Sequence, residues 1–233
     1  MNKSDYLYDA MSSQYQNVSN KRRKYIFSIN ELIYKHCAGV VNSYLDAGCG
    51  DGIRSSDIQK KIQPNKTVLI DSSIKMIELS RKNTKNSTCV HSSIEDFTCD
   101  NKFDLITCLW NVFGHIESEE KRIKSLINLR KLLSNDGLLM IDINNRYNLY
   151  YTYKEVLKNI FFSIQRKESN NWHTFDFNGK KYQTYISSYF EMKRCIRNAG
   201  LDIVYKYGVD YEDGKLSSNY LTNGQVFFVL KKK

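Results

Sequence analysis

Three glycines stand at alternate positions in YLDAGCGDG, residues 44–52, between an apolar run and a stretch with helical spacing. Glycine reaches positive φ without strain, and it lets a ligand approach the main chain where a side chain would collide. In an open α/β sheet, ligands bind where such a loop joins a strand end to a helix N-terminus. The loop therefore predicts an α/β fold with a ligand at 44–52, although a structural turn can use the same glycines.

The order of apolar runs and helical stretches predicts the sheet. We expect strands at 40–45, 67–71, 103–109 and 138–143, a further one near Cys89 and Val90, and helices at 21–37, 53–62, 73–81 and 119–133. SNDG, at 134–137, is predicted to be a turn. Because the strands are largely apolar and alternate with helices, the pattern indicates a mainly parallel sheet that is covered on both faces.

The C-terminal third has a different pattern. Ser188 and Glu191 have capping-box spacing and Gly200 follows at the expected end, so a helix is predicted between them, over 189–199. The apolar runs 201–209 and 225–231 are predicted to be strands. Only a short loop joins them, which favours an antiparallel pair, since a parallel pair needs a crossover.

Acidic residues narrow the choice of ligand for the glycine loop. A dinucleotide fingerprint needs a third glycine where Ile53 stands, and the carboxylates of Asp46 and Asp51 would repel a pyrophosphate. Asp71 ends the next predicted strand, where a carboxylate accepts hydrogen bonds from the hydroxyls of a ribose. The expected ligand is a nucleoside with positive charge and no pyrophosphate, which points to S-adenosylmethionine.

The chain resembles the class I S-adenosylmethionine-dependent methyltransferases over nearly its whole length. YLDAGCGDG is similar to their first motif, VLIDSS (68–73) to the second and SSIEDF (92–97) to the adenine-side motif, while FDLITCLWNVFGHI (103–116) and LRKLLSNDGLLMIDINN (129–145) are similar to later segments. The resemblance implies S-adenosylmethionine as cofactor and a Rossmann-like, seven-stranded, mainly parallel sheet with an antiparallel last strand.

The same resemblance implies the cofactor contacts. The cofactor-binding residues that we expect are Tyr15, Asp46, Gly48, Gly50, Asp71, Ser72, Ser93, Ile94, Glu95 and Leu109. Asp71 would hold the ribose, Ile94 would stack on adenine, and carbonyls near Gly48 and Leu109 would take the ammonium group. Many members have an acid at the position of Ser93, so the side chain that contacts the adenine amino group is left open.

The residues after the fourth strand are the candidates for chemistry. Methyl transfer is an in-line displacement, so the protein must align the acceptor atom with the methyl group and exclude water. His115 is the candidate base or orienting group, and a packed or surface histidine is the alternative. Trp110 and Asn111 are candidate substrate contacts.

One domain, 1–233, is expected, in four parts. These are an N-terminal lid and helix (1–38), a cofactor-binding core (39–145), a cap insertion (146–187), and a C-terminal helix with antiparallel strands (188–233). YDAMSSQY, at 8–15, resembles the family's lid, so Tyr15 is predicted either to contact the cofactor or to pack on the sheet.

The cap insertion is predicted to contain a helix and a hairpin. The helix is expected at 150–166, and Asn178-Gly179 is a strong signal for a two-residue hairpin turn. Tyr150 is a candidate substrate contact. The cap aromatics, Trp172 and Phe175 among them, are expected to line a pocket, to form a homodimer surface or to pack within the cap.

Charge and cysteines limit the partners. Lys and Arg number 35 against 25 Asp and Glu, a net charge of +10, but they are dispersed, which favours a solvated surface over an anionic partner. The six cysteines do not cluster with the four histidines, so we expect reduced thiols of a cytoplasmic protein and no metal site. No apolar run is long enough for a membrane span.

The predicted function is methyl transfer to nitrogen or oxygen of a small molecule, such as a sugar, a nucleotide-sugar or an amine metabolite. RNA or protein methylation is the alternative that the charge permits. Against it, LWNV at 109–112 lacks the (N/D)PP(Y/F) motif that accompanies methylation of exocyclic base amines and of glutamine. A third reading, a non-catalytic cofactor-binding protein, is disfavoured by the intact motif residues.

Overall fold

The structure is a computed structural model, and it describes residues 3–37, 39, 41–149, 171–177 and 179–233. The helices of this part are α1 (Lys3–Met11), α2 (Tyr15–Asn20), α3 (Arg23–His36), α4 (Ile53–Ile62), α5 (Ile74–Asn83), α6 (Glu119–Leu132) and α7 (Tyr189–Asn198). The strands are β1 (Ser43–Ala47), β2 (Lys66–Asp71), β3 (Ser87–His91), β4 (Phe103–Cys108), β5 (Leu133–Ile143), β6 (Trp172–Phe177), β7 (Lys180–Tyr185), β8 (Leu201–Val209), β9 (Leu216–Ser217) and β10 (Gln225–Lys232). A short 3-10 helix, Val112–His115, follows β4.

The main sheet is parallel in its first part and antiparallel at its end. Its order is β3-β2-β1-β4-β5-β10-β8-β9, and β1 to β5 are parallel to one another. β10 is antiparallel to both β5 and β8. The predicted Rossmann-like sheet with an antiparallel last strand is confirmed. The predicted number of strands is one too low, because the two-residue β9 pairs with β8.

Helices cover both faces of the sheet because successive strand residues point to opposite sides. Tyr44 and Phe227 pack in a core cluster with side chains of α3 and α4. Their neighbours Leu45 and Phe228 pack in another cluster with side chains of α6 and α7. The apolar runs read from the sequence are therefore strands that are buried on two sides.

The segment 134–137, predicted to be a turn, lies within β5. α6 ends at Leu132 and β5 begins at Leu133. Pairing with β4 passes from Phe103 opposite Leu133 to Leu105 opposite Leu138, so the extra residues form a bulge. The capping box at Ser188 is present as predicted.

The N-terminal segment 3–20, which we call the lid, and the hairpin of β6 and β7 contact the loops that follow β2 and β4. The lid contains α1 and α2, which the sequence pattern did not predict. In the hairpin, Phe177 of β6 lies opposite Lys180 of β7, as the Asn178-Gly179 signal predicted. The Arg122 guanidinium lies 4.0 Å from the centre of the Tyr185 ring, which fastens β7 to α6. The predicted helix at 150–166 and Tyr150 lie outside the described residues.

Candidate active site

The glycine loop brings the main chain close to the end of β2. Gly48 and Gly50 have φ of +85° and +55°. A Cβ on Gly50 would stand 2.8 Å from the Tyr15 hydroxyl oxygen. The Gly50 amide donates to Asp71 Oδ2 at 2.9 Å, and the Ser73 amide donates to Oδ1 at 2.9 Å. Two amide hydrogen bonds thus fix the Asp71 carboxylate at the end of β2.

Most of the predicted cofactor-binding residues lie together in one cleft, which we call the main cleft. Those that line it are Tyr15, Gly48, Gly50, Asp71, Ser72, Ser93, Ile94, Glu95 and Leu109. Tyr8, Trp110 and His115 line it as well. The structure therefore brings together side chains from α1, α2, the ends of β1, β2 and β4, and the loop after β3.

Asp46 lies apart from this group. Its Oδ2 accepts a hydrogen bond from Ser55 Oγ at 2.5 Å and its Oδ1 accepts one from Thr107 Oγ1 at 2.8 Å. Burial raises the pKa of the Asp46 carboxyl. The side chain thus joins β1 to α4 and to β4, and its predicted cofactor contact stays a prediction.

A second cavity, the Arg54 cavity, adjoins the main cleft. The two share Tyr15, Gly48, Leu109 and Trp110. The Arg54 Nε donates to Asn30 Oδ1 at 2.9 Å, while Nη1 and Nη2 are buried without a hydrogen-bond partner among the described residues. Buried guanidinium nitrogens of this kind suit an anionic ligand group. Sequence reasoning missed Arg54, whose only signal is a basic residue in the helix turn after the glycines.

The loop after β4 has a strained conformation that a buried acid stabilises. Trp110 and Asn111 have φ of +64° and +59°, which is unusual for two successive residues other than glycine. Asp142, in β5, is 0% exposed, and its Oδ1 accepts a hydrogen bond from the Asn111 amide at 2.8 Å. Its Oδ2 accepts one from the Tyr25 hydroxyl at 2.8 Å. Asp142 was not predicted as a site residue, although an acid within the apolar run LLMIDI was a signal for it.

His115 lies at the wall of the main cleft against Tyr8, with ring centres 5.1 Å apart. Burial lowers the pKa of His115 to about 4. Its Nδ1 is buried and has no hydrogen-bond partner among the described residues. The ring is therefore neutral near pH 7, where it can accept a hydrogen bond but is a weak base.

A third cavity, the aromatic cavity, is also lined by His115. Its lining residues are Leu7, Tyr8, Met11, Tyr15, Val18, Trp110, Asn111, His115, Asn144, Phe175, Thr184 and Tyr211. Two of the predicted substrate contacts, Trp110 and Asn111, are among them, and so is Phe175 of the cap. Trp172 lies elsewhere and contacts the Tyr185 ring.

The described residues meet neither the ligand requirement of a metal site nor the length and apolar requirement of a membrane span. No group of three or more His, Cys, Asp and Glu side chains is placed to hold a metal ion in this part of the chain. Within the same residues, no helix combines the length and the apolar character that crossing a membrane requires.

The sheet order, the glycine loop and the acid at the end of β2 are those of the class I methyltransferase fold. Residues 45–137 match the sequence profile of a methyltransferase domain family. Residues 45–137 therefore carry a methyltransferase domain, and the fold of the whole chain is similar to that of S-adenosylmethionine-dependent methyltransferases of known structure. The site suits S-adenosylmethionine, since Gly50 leaves room at the backbone, two amides fix the Asp71 carboxylate at the end of β2, and Arg54 Nη1 and Nη2 are buried without a hydrogen-bond partner among the described residues.

Similar proteins match nearly the whole chain or less than half of it. The uncharacterized protein MJ1252 of Methanocaldococcus jannaschii is 23% identical over 97% of this chain and 89% of its own length. A glycine/sarcosine N-methyltransferase of Aphanothece halophytica is 32% identical over 43% of this chain and 40% of its own. An S-adenosylmethionine-dependent methyltransferase of Clostridium acetobutylicum has a similar fold, with a TM-score of 0.66, 16% identity, and coverage of 94% of this chain and 98% of that one.

Proposed function

We propose that this chain transfers the methyl group of S-adenosylmethionine to a nitrogen or oxygen atom of a small molecule. One observation carries the proposal: the main cleft and the aromatic cavity share Tyr8, Tyr15, Trp110 and His115. A donor in the cleft and an acceptor in the cavity would meet at these four side chains. Such a junction supplies the alignment on which an in-line displacement depends.

The cofactor is proposed to extend from the main cleft into the Arg54 cavity. Asp71 would accept hydrogen bonds from the ribose hydroxyls, and Ile94 would pack on the adenine, with Ser93 and Glu95 near its edge. The sulfonium group would lie near Gly48 and Leu109, which line both spaces. Arg54 would then hold the carboxylate of the methionine part, because Arg54 lines this second cavity and its Nη1 and Nη2 have no hydrogen-bond partner among the described residues.

The covering of the site supports a small acceptor. α1 and α2 contribute Tyr8 and Tyr15 to the aromatic cavity, and the hairpin contributes Phe175 and Thr184. Rings and amides line this space, whereas a nucleic-acid site needs an exposed basic stripe. Methylation of RNA or protein is therefore the second candidate, and the experiment below separates it from the first.

His115 is proposed to orient the acceptor. Its depressed pKa keeps the imidazole neutral, so the ring adds no positive charge beside a sulfonium. A weak base contributes little to removing a proton from an alcohol or an ammonium ion. Accepting a hydrogen bond from the acceptor is the role that this environment favours.

Binding of S-adenosylhomocysteine tests the cofactor site. At about 100 times its dissociation constant, the ligand is expected to raise the free energy of unfolding by about 2.7 kcal/mol. Asp71→Ala is expected to abolish this increase. Asp202→Ala, which removes an exposed carboxylate of β8, is the matched control and should keep it. An unchanged melting temperature of the parent protein with the ligand would contradict the proposal.

Transfer of a labelled methyl group tests the acceptor class. The protein and labelled S-adenosylmethionine are incubated with a cell extract, which is then separated into small molecules, RNA and protein. Label in the small-molecule fraction supports the proposal, and label in RNA or protein supports the second candidate. Asp71→Ala, in which no fraction should gain label, controls for contaminating enzymes.

The remaining expectations form part of this proposal. The cysteines of the described residues are free thiols, as a reducing cytoplasm would keep them. A homodimer through the cap, 146–187, stays a prediction, and the mass of the protein in solution is the measurement that tests it.

A further inference from the structure

The described lining of the aromatic cavity is rich in rings and contains no Asp, Glu, Lys or Arg. Five of its lining residues are Tyr8, Tyr15, Trp110, Phe175 and Tyr211. Burial raises the pKa of the Tyr8 and Tyr15 hydroxyls, so both phenols are neutral near pH 7.

A connected set of rings, which we call the aromatic collar, stands where this cavity meets the main cleft. It consists of His115, Tyr8, Tyr15 and Trp110. Successive ring centres are 5.1, 6.4 and 5.4 Å apart, and all three contacts are edge to face. Faces of aromatic rings attract cations, because the π electrons give them a negative potential. The collar therefore favours a positive centre at the point where donor and acceptor would meet.

We propose that the acceptor is an uncharged amine whose nitrogen becomes cationic when it is methylated, and that the aromatic collar and Phe175 stabilise this positive charge. The inference rests on the proposed function and specifies its substrate class. The nitrogen lone pair forms the new C–N bond while the C–S bond breaks and its electron pair stays on sulfur. The positive charge thus passes from sulfur to nitrogen, and a proton of the nitrogen leaves to solvent afterwards.

An amine suits this site better than an alcohol. A neutral amine has its lone pair ready, whereas an alcohol is a poor nucleophile until a base takes its proton. His115 is the one residue among the described lining residues with a side chain that normally titrates near neutrality, and its burial makes it a weak base. The charge-conserving reaction requires no such base before the displacement.

The lining also restricts the rest of the acceptor. No Lys or Arg is among the described residues that line the cavity, so a carboxylate on the acceptor would have no ion-pair partner there. Arg22 stacks on the Tyr211 ring at 4.4 Å and pairs with Glu212, so one face of that ring already contacts a cation. Phe175 contacts no cation among the described residues, which makes it the better ring to test.

The test compares choline with 3,3-dimethylbutan-1-ol, which have the same shape and differ by the positive charge. Dissociation constants are measured by calorimetry with S-adenosylhomocysteine bound. Choline is expected to bind about tenfold more tightly than the alcohol. Phe175→Leu, which keeps an apolar side chain and loses the ring, is expected to reduce this ratio about threefold. Phe175→Tyr keeps the ring and is expected to keep the ratio.

Four outcomes of this binding experiment would contradict the proposed amine acceptor. Equal affinity for the two probes, tighter binding of the alcohol, no binding of either, or a ratio unaffected by Phe175→Leu overturns the inference. Phe175 does not line the main cleft, so Phe175→Leu should bind S-adenosylhomocysteine like the parent protein. Failure of the parent to bind S-adenosylhomocysteine would contradict the proposed function itself, whereas normal binding with no preference for choline contradicts this inference alone.

Discussion

The floor of the main cleft and the wall of the aromatic cavity are built in different ways. The floor comes from short loops at adjacent strand ends, and local hydrogen bonds such as Gly50 N to Asp71 Oδ2 hold it. The wall joins α1, α2, the loop after β4, the hairpin and the turn after β8. The floor consists of short segments, so sequence motifs predict it. The wall consists of segments that are distant in sequence, so it depends on how the lid and the hairpin pack.

The largest effect is expected where the core supports the wall. Asp142→Ala removes the acceptor of the Asn111 amide and of the Tyr25 hydroxyl, and leaves two buried donors without a partner. We expect a loss of about 3 kcal/mol in the free energy of unfolding, measured by urea denaturation. If the wall of the aromatic cavity depends on the hydrogen bonds of Asp142, the affinity for choline should fall more than the affinity for S-adenosylhomocysteine. An equal decrease in affinity for both ligands would mean that the floor of the main cleft depends on Asp142 as much as the wall does.

A pH-dependent effect is expected at the junction of floor and wall. The folded protein holds the pKa of His115 at about 4, below the ordinary value of 6.5. Between these values the unfolded chain binds a proton that the folded chain does not, so stability falls as pH decreases from 6.5 toward 4. His115→Gln should remove about 2 kcal/mol of this fall.

Urea unfolding at pH 7.5 and pH 4.5 measures this effect. The matched control is His91→Gln, which makes the same substitution at an exposed histidine. Identical pH dependence in His115→Gln and the parent would show that the ring is more hydrated than its position indicates.

A smaller effect is expected in the Arg54 cavity, and it separates parts of the cofactor. Arg54→Met should weaken binding of S-adenosylhomocysteine about tenfold, because a charge-assisted hydrogen bond to the carboxylate is lost. Methylthioadenosine has the same nucleoside and no carboxylate, so its affinity should not change. Equal weakening of both ligands would assign Arg54 to the packing of α4 against Asn30 instead.

The smallest effect concerns the backbone of the floor. Gly50→Ala places a Cβ against the Tyr15 hydroxyl at a φ of +55°. Gly179 has a φ of +74°, and no atom of the described residues lies within 4 Å of a Cβ added there. Gly179→Ala is therefore a control for backbone strain alone. Each should lose about 1 kcal/mol of stability. Weaker binding of S-adenosylhomocysteine is expected for Gly50→Ala only, and its absence there would place the cofactor farther from Gly50.

Several site residues escaped prediction for one physical reason. Arg54 and Asp142 are ordinary charged residues in a helix and a strand, and they gain a role only through contacts that folding creates. Tyr8 and Tyr211 are far apart in sequence, and each lines the aromatic cavity because the lid and the turn after β8 lie at the same edge of the sheet. The spacing of residues along the chain does not predict that Tyr8 and Tyr211 line the same cavity.

Local chemistry determined the rest. Apolar runs alternating with helical spacing are enough to predict a parallel sheet, because strands buried on two faces need that composition. Glycines before a helix and an acid at the end of the next strand predict the floor of the main cleft. The backbone conformation of the loop requires glycine, and the ribose hydroxyls require a carboxylate. The wall, the strained Trp110-Asn111 pair and the neutral His115 were decided by the tertiary structure alone, because packing against distant residues sets their conformation and their charge.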